Sequence, residues 1–153
     1  MSAVYEIHHR LRPMNEHDLE RIGRIELASY DHPWSLGNFR DSLHAGYSAW
    51  VREADGEVIG YYVMMVAAGE AHLLNLTIAP SWRRHGLGRD LLEHCLTRAR
   101  EHHADTMFLE VRLSNTAAIA LYHSSGFIDL AVRQAYYPAR EGREDALIMK
   151  REL

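Results

Sequence analysis

Two stretches of this chain hold residue types that can do chemistry together. The first is Leu73 to Gly88, LLNLTIAPSWRRHGLG. Leu73, Leu74, Leu76 and Ile78 form an apolar run of strand length, and Pro80 ends it. Arg83, Arg84, His85, Gly86, Leu87 and Gly88 follow, and an apolar helical pattern starts at Leu87. Backbone amides of a glycine-containing turn at a helix N-terminus bind phosphate oxygens. The glycines let the backbone come close, and the arginines add charge. A nucleoside-triphosphate loop requires Lys-Ser or Lys-Thr after its last glycine, and none follows Gly88. The dinucleotide fingerprint GxGxxG fails at Leu91, which stands where its third glycine belongs. What is left is R-x-x-G-x-G, Arg83 to Gly88, after a strand that ends in Ile-Ala-Pro. Arg83 and Arg84 read either as phosphate ligands or as solvated charges; the backbone amides are the firmer donors.

The second stretch is Leu109 to Phe127, LEVRLSNTAAIALYHSSGF. Glu110 lies between Leu109 and Val111, and a carboxylate inside such a run costs free energy unless solvated or paired. It is either an exposed residue on a polar strand face or a proton acceptor. Asn115, Ala118 and Tyr122 are spaced to share one face of the following helix, which suits contact with a ligand. Tyr122 can equally be a core residue with a satisfied hydroxyl.

The elements that must position these residues follow from periodicity. Tyr5, Ile7, His9 and Leu11 alternate as a strand that Pro13 ends. Asn15 and Asp18 form a capping box for a helix through Leu19, Ile22, Ile25 and Ser29. Ser35 caps a shorter helix bearing Leu36, Phe39 and Leu43. Between them, Tyr30 to Trp34 is aromatic and irregular, either core packing or the lip of a groove. Strands over 47–54, 58–67 and 71–79 form a meander, with Asp55-Gly56 as a hairpin turn. The helix from Leu87 continues to about His103, and Thr106 to Val111 is a strand. Ser114 or Asn115 caps a helix through Ser125, with Gly126 at its C′ position. Two strands, 127–137 and 146–152, close the chain. Strands on either side of the helix from Leu87 imply a crossover and a parallel pair.

Length and composition set bounds. The 153 residues suit one domain with a real core. A net charge of −4 leaves no global basic field for nucleic acid. Cys95 is the only cysteine and sits on the apolar face of the helix from Leu87, as a buried structural thiol. No HExxH or zinc-spaced Cys/His cluster is present, so no metal is expected. No signal peptide or bilayer-spanning run is seen, so a cytoplasmic protein without membrane or direct nucleic-acid partners is expected.

The Arg83–Gly88 loop after Ile-Ala-Pro resembles the pyrophosphate loop of the GNAT family, the acetyl-CoA-dependent N-acetyltransferases. The pattern L-E-V-R-x-S-N-x-x-A-x-x-L-Y-x-x-x-G-F is similar to one branch of it, the bacterial ribosomal-protein-alanine N-acetyltransferases. That likeness runs from about Leu73 to the chain end, including Tyr136-Tyr137-Pro138 and Arg143 to Ala146; Pro33-Trp34 and Phe39 to Leu43 also fit. The resemblance implies an α/β (α+β) fold: a single GNAT-type domain over 1–153 with a mixed, mostly antiparallel sheet, a central splayed parallel pair and helices on both faces. It implies acetyl-CoA as co-substrate, with pyrophosphate at Arg84, His85, Gly86, Leu87, Gly88 and Arg89. It implies pantetheine against the backbone of Leu76, Thr77 and Ile78 and against Asn115, with the Ile78 N–H as oxyanion donor. Glu110 becomes the general base and Tyr122 the acid for the departing thiolate.

The implied substrate is the N-terminal alanine of ribosomal small-subunit protein eighteen; Tyr30–Trp34 and Tyr136-Tyr137 with the loop to Asp145 are the expected walls of its peptide groove. The chemistry agrees. At pH 7.4 roughly a third of α-amines are neutral, against about one lysine in a thousand, so a carboxylate base suits an N-terminal amine. The rivals are acetylation of protein lysine or a small amine, and a non-catalytic acetyl-CoA-binding regulator.

Overall fold

A computed structural model describes residues 6–153. Its elements follow the expected order. β1 is His9–Pro13, α1 Leu19–Ser29, α2 Leu36–His44, β2 Ser48–Ala54, β3 Glu57–Ala67 and β4 Glu70–Ile78. Then come α3 Leu87–Glu101, β5 Thr106–Arg112, α4 Thr116–Ser124, β6 Ile128–Pro138 and β7 Arg143–Glu152. The first strand starts later than its alternation suggests: Ile7 precedes it, and Tyr5 lies outside the described residues.

Local chemistry explains the boundaries. The Asn15 side chain accepts from the His17 N–H, and Asp18 accepts from the Asn15 N–H, so the capping box is present. It caps a short 3-10 turn, Glu16–Asp18, that leads into α1. Ser35 Oγ accepts from the Asn38 N–H at 3.1 Å and opens α2. The β2–β3 turn places Asp55 and Gly56 at φ 49° and 81°, a pair of left-handed residues suited to a hairpin. Gly126 follows α4 at φ 91°, where a side chain would be strained.

The seven strands form one sheet in the order β1-β2-β3-β4-β5-β7-β6. Among the described residues only β4 and β5 run parallel, joined by the α3 crossover; the other pairs are antiparallel. Two cores cover the two faces. Leu19, Ile22 and Ile25 of α1 and Phe39 of α2 pack on Val51, Tyr61 and Val63. On the other face Leu91, Leu92, Cys95 and Leu96 of α3 and Tyr122 of α4 pack on Ile59, Met64, Met107 and Leu109. Cys95 is fully buried there, and burial pushes its thiol well above the usual range. No helix among the described residues is long and apolar enough to cross a membrane.

Candidate active site

The site opens where the parallel pair parts. β4 and β5 pair only from Glu70 opposite Thr106 to Leu73 opposite Leu109. Beyond that point β4 stays on β3 as far as Ile78 opposite Gly60, and β5 stays on β7 as far as Arg112 opposite Ala146. The β3–β4 register also slips there, because Leu73 and Asn75 face Met64 and Val63 and leave Leu74 unopposed. A bulge of this kind re-aims a strand.

The parting frees backbone groups. The Ala79 N–H donates to the Ile59 carbonyl at 2.8 Å. Alternate residues of an antiparallel ladder face the partner strand, so Thr77 also turns its backbone to β3. Leu76 and Ile78 turn theirs to the cleft. Thr77 contributes differently: its side chain is buried and its hydroxyl donates to Asn75 Oδ1 at 2.8 Å.

Two adjoining cavities fill the cleft. The larger, about 900 Å³, is walled by Leu76, Ile78, Arg84, Gly86, Gly88 and Tyr122. The smaller, about 270 Å³, is walled by Glu26, Tyr30, Trp34, Glu110, Tyr122 and Tyr137. Tyr30, Leu76, Asn115 and Tyr122 belong to both.

At the far end of the larger cavity the loop enters α3. Arg84 and Gly86 have φ of 66° and 74°, and Gly86 is the N-cap with no capping side chain. The first N–H groups of a helix have no partner within it, so those of α3 are available to an anion. Gly86 is required by its φ alone, since a Cβ there would meet nothing within 4 Å. Arg84, Leu87 and Gly88 also line this cavity. His85 and Arg89 do not: His85 packs edge-on to Trp82 at 6.5 Å, and Arg89 Nη2 donates to Ser124 Oγ at 2.7 Å. Arg83 Nε donates to the Ile78 carbonyl at 3.3 Å.

Glu110 and Tyr122 come together in the smaller cavity. The Glu110 side chain is 32% exposed, and Arg133 Nη1 donates to its Oε1 at 3.0 Å. Tyr122 is 7% exposed, and burial pushes its phenol above the ordinary range. Asn115 caps α4, its Oδ1 accepting from the Ala118 N–H at 3.2 Å. Tyr137 lies under the Arg112 guanidinium, 4.5 Å from the ring centroid. Tyr30 is core and lip at once: it lines both cavities, and its hydroxyl donates to Thr77 Oγ1 at 2.7 Å.

One wall residue escaped the pattern reading. Glu26 of α1 is 1% exposed and lines the smaller cavity. Its signal was present: it falls seven residues after Leu19 and four after Ile22, on the apolar stripe of α1. A carboxylate at such a position needs partners.

A seven-stranded sheet with one splayed parallel pair, and a glycine-opened helix at the mouth of the splay, define an acyltransferase of the GNAT class. The family model for the acetyltransferase (GNAT) family matches residues 5–127, and the chain belongs to that family. A [ribosomal protein bS18]-alanine N-acetyltransferase of Escherichia coli (strain K12) is 39% identical over 132 residues, covering 86% of this chain and 89% of that one. The protein of the same description from Haemophilus ducreyi is 34% identical over 135 residues, covering 88% and 93%. The crystal structure of the Escherichia coli ribosomal-protein-S18-alanine N-acetyltransferase superposes with a TM-score of 0.89 at 36% identity, covering 95% of this chain and 94% of that one. Ard1 from Thermoplasma volcanium gives 0.87 at 27% identity, covering 95% and 97%.

Proposed function

We propose that this chain transfers the acetyl group of acetyl-CoA to the N-terminal alanine amine of ribosomal protein bS18. The observation that carries the reading is the meeting of Glu110 and Tyr122 in one cavity, which shares Tyr122 with the larger cavity lined by the uncapped N-terminus of α3. The relatives described as bS18-alanine N-acetyltransferases support the substrate.

The fit to acetyl-CoA rests on the donor set. The loop from Arg84 to Arg89 offers amides and a guanidinium to the pyrophosphate, with Arg89 and His85 contributing through their backbone. The larger cavity has the size of a cofactor-sized site. The cleft-facing N–H groups of Leu76 and Ile78 meet the pantetheine arm, the Ile78 carbonyl already accepting from Arg83 Nε, and Asn115 borders the same path. An acetyl-CoA held in this way carries its thioester to Tyr122.

The step then balances. Glu110 accepts a proton from the α-ammonium, directly or through water. The amine lone pair attacks the thioester carbon, and the Ile78 N–H faces the oxygen that gains charge. The C–S bond breaks, Tyr122 gives its proton to the leaving sulfur, and the second proton shed by the nitrogen as the amide forms passes through water to restore the phenol. Burial keeps the Tyr122 phenol protonated for this task. The enzyme acts in the cytoplasm, where its substrate is made.

The test is mass spectrometry of bS18 after incubation with enzyme and acetyl-CoA. The expected result is a gain of about 42 Da, one acetyl group, on residue one alone. Acetyl on lysine, or transfer only to free small amines, overturns the substrate. Binding of acetyl-CoA with no transfer to any amine overturns the enzyme reading.

A further inference from the structure

The Glu26 carboxylate is held by three neutral donors from three elements. Tyr61 Oη of β3 and Asn75 Nδ2 of β4 both donate to its Oε1 at 2.8 Å. The Trp34 backbone N–H, from the loop after α1, donates to its Oε2 at 3.0 Å. Among the described residues no Arg, Lys or His forms an ion pair with it, while other site carboxylates have one. Glu110 is paired with Arg133 at 3.0 Å, and Glu144 with Arg112 at 3.1 Å. Thr77 and Tyr30 extend the Glu26 network through Asn75, again with neutral groups only.

A carboxylate that is 1% exposed and lacks a cation is expensive to keep. Three hydrogen bonds offset part of that cost. The carboxylate, with no cation beside it, lies in the wall of the cavity that also holds Glu110 and Tyr122. A cation entering there supplies the missing counter-charge. We infer that Glu26 is a specificity-determining residue that recognises the substrate's α-ammonium, leaving Glu110 free to take the proton. This rests on the reading above, that the smaller cavity receives an N-terminal amine.

The roles differ in geometry as well as charge. Glu110 is partly solvated, so a proton taken there can leave to water. Glu26 has no such route to bulk solvent and faces only the cavity, as an acceptor in its wall. Its bond to Trp34 also ties the irregular segment after α1 to the splayed end of β4, which brings the lip and the cleft under one carboxylate.

The experiment compares two unreactive peptides of matched shape. One begins with N,N-dimethylalanine, a cation; the other carries a 2,3-dimethylbutanoyl group, in which carbon replaces that nitrogen. Both are measured as competitive inhibitors against an alanyl bS18 peptide. The wild-type protein is expected to prefer the cation about tenfold or more. Glu26→Gln keeps the shape and removes the charge, and is expected to cut that preference about tenfold. A merely structural role would weaken both peptides in parallel, which overturns the inference. So does a collapse that follows Glu110→Gln and spares Glu26→Gln. Should Glu26→Gln fail to fold, the wild-type comparison still decides, because a preference under twofold sinks the proposal. Absence of any transfer to the alanyl peptide instead defeats the underlying reading, so the two failures are separable.

Discussion

Tyr122 and Glu110 line one cavity although they come from opposite faces of the sheet. Leu109 and Val111 pack in the same core as Tyr122, so strand alternation sends Glu110 to the other face. In a closed sheet the two side chains would be separated by backbone. Here β4 has left β5 after Leu73, and the gap lets both reach one space. The splay therefore does two things: it leaves backbone groups of β4 unpaired by β5, and it opens a space that a carboxylate and a phenol from opposite faces share.

Glu110→Gln is expected to lower kcat/KM for the alanyl peptide by about 10²- to 10⁴-fold, the usual contribution of a positioned base. Acetyl-CoA affinity by calorimetry should stay within about twofold, because Glu110 is absent from the wall of the larger cavity. A variant that keeps more than about a third of wild-type activity shows that another group takes the proton.

Tyr122→Phe is expected to lower kcat with little change in either KM, since the ring stays and only the acid is lost. The pH dependence has a definite sign. Burial raises the phenol, so the proton is held beyond the ordinary value of about 10. The wild-type kcat should therefore not fall through loss of the Tyr122 proton at pH 8–10. A basic limb in that window that vanishes in Tyr122→Phe contradicts the assignment.

Much of this fold was legible because local signals agreed with global needs. Asn15, Ser35 and Asn115 cap where their residue types place them. The Asp55-Gly56 turn and the apolar stripe from Leu87 to Ala99 are similarly local. The candidate site was readable where it rests on motif text: Glu110, Tyr122 and the Gly86 loop. Glu26 was not, because its meaning is tertiary. A single Glu on a helix of 11 residues says nothing of Tyr61 and Asn75, which reach it from 35 and 49 residues away. Arg89 shows the converse. Its place in the glycine loop suggests a phosphate ligand, yet its guanidinium is spent on Ser124.

Gly60 of β3 stands opposite Ile78. A Cβ there would come 2.7 Å from Ile78 Cδ1 and 3.1 Å from the Thr77 carbonyl oxygen. The first contact can relax by a side-chain rotation; the second is backbone and must move β4. Gly60→Ala is therefore expected to raise the acetyl-CoA KM several-fold and to cost about 1–3 kcal/mol of stability, as overpacking does. Gly37→Ala is the control, because its Cβ would meet only Ser35 Oγ at 3.5 Å, an ordinary contact. Equal acetyl-CoA KM values for the two variants would show that the splayed end of β4 does not hold the donor.

Tyr137 separates the two substrates most sharply. It lines the smaller cavity and not the larger one. Arg112 covers its ring and fixes the strand beyond it, with Nη1 donating to the Pro138 carbonyl at 2.8 Å. Burial, with the Glu110 charge behind it, pushes the phenol up to about 12, so Tyr137 is neutral across the working range. It therefore offers the smaller cavity an aromatic wall, not a charge. Tyr137→Ala is expected to raise the peptide KM about tenfold, as loss of a buried aromatic contact does. The acetyl-CoA KM should change much less. Tyr137→Phe keeps the wall and is expected to stay near wild type. Parallel rises of both KM values in Tyr137→Ala, or a Phe variant as weak as the Ala variant, would place the peptide elsewhere.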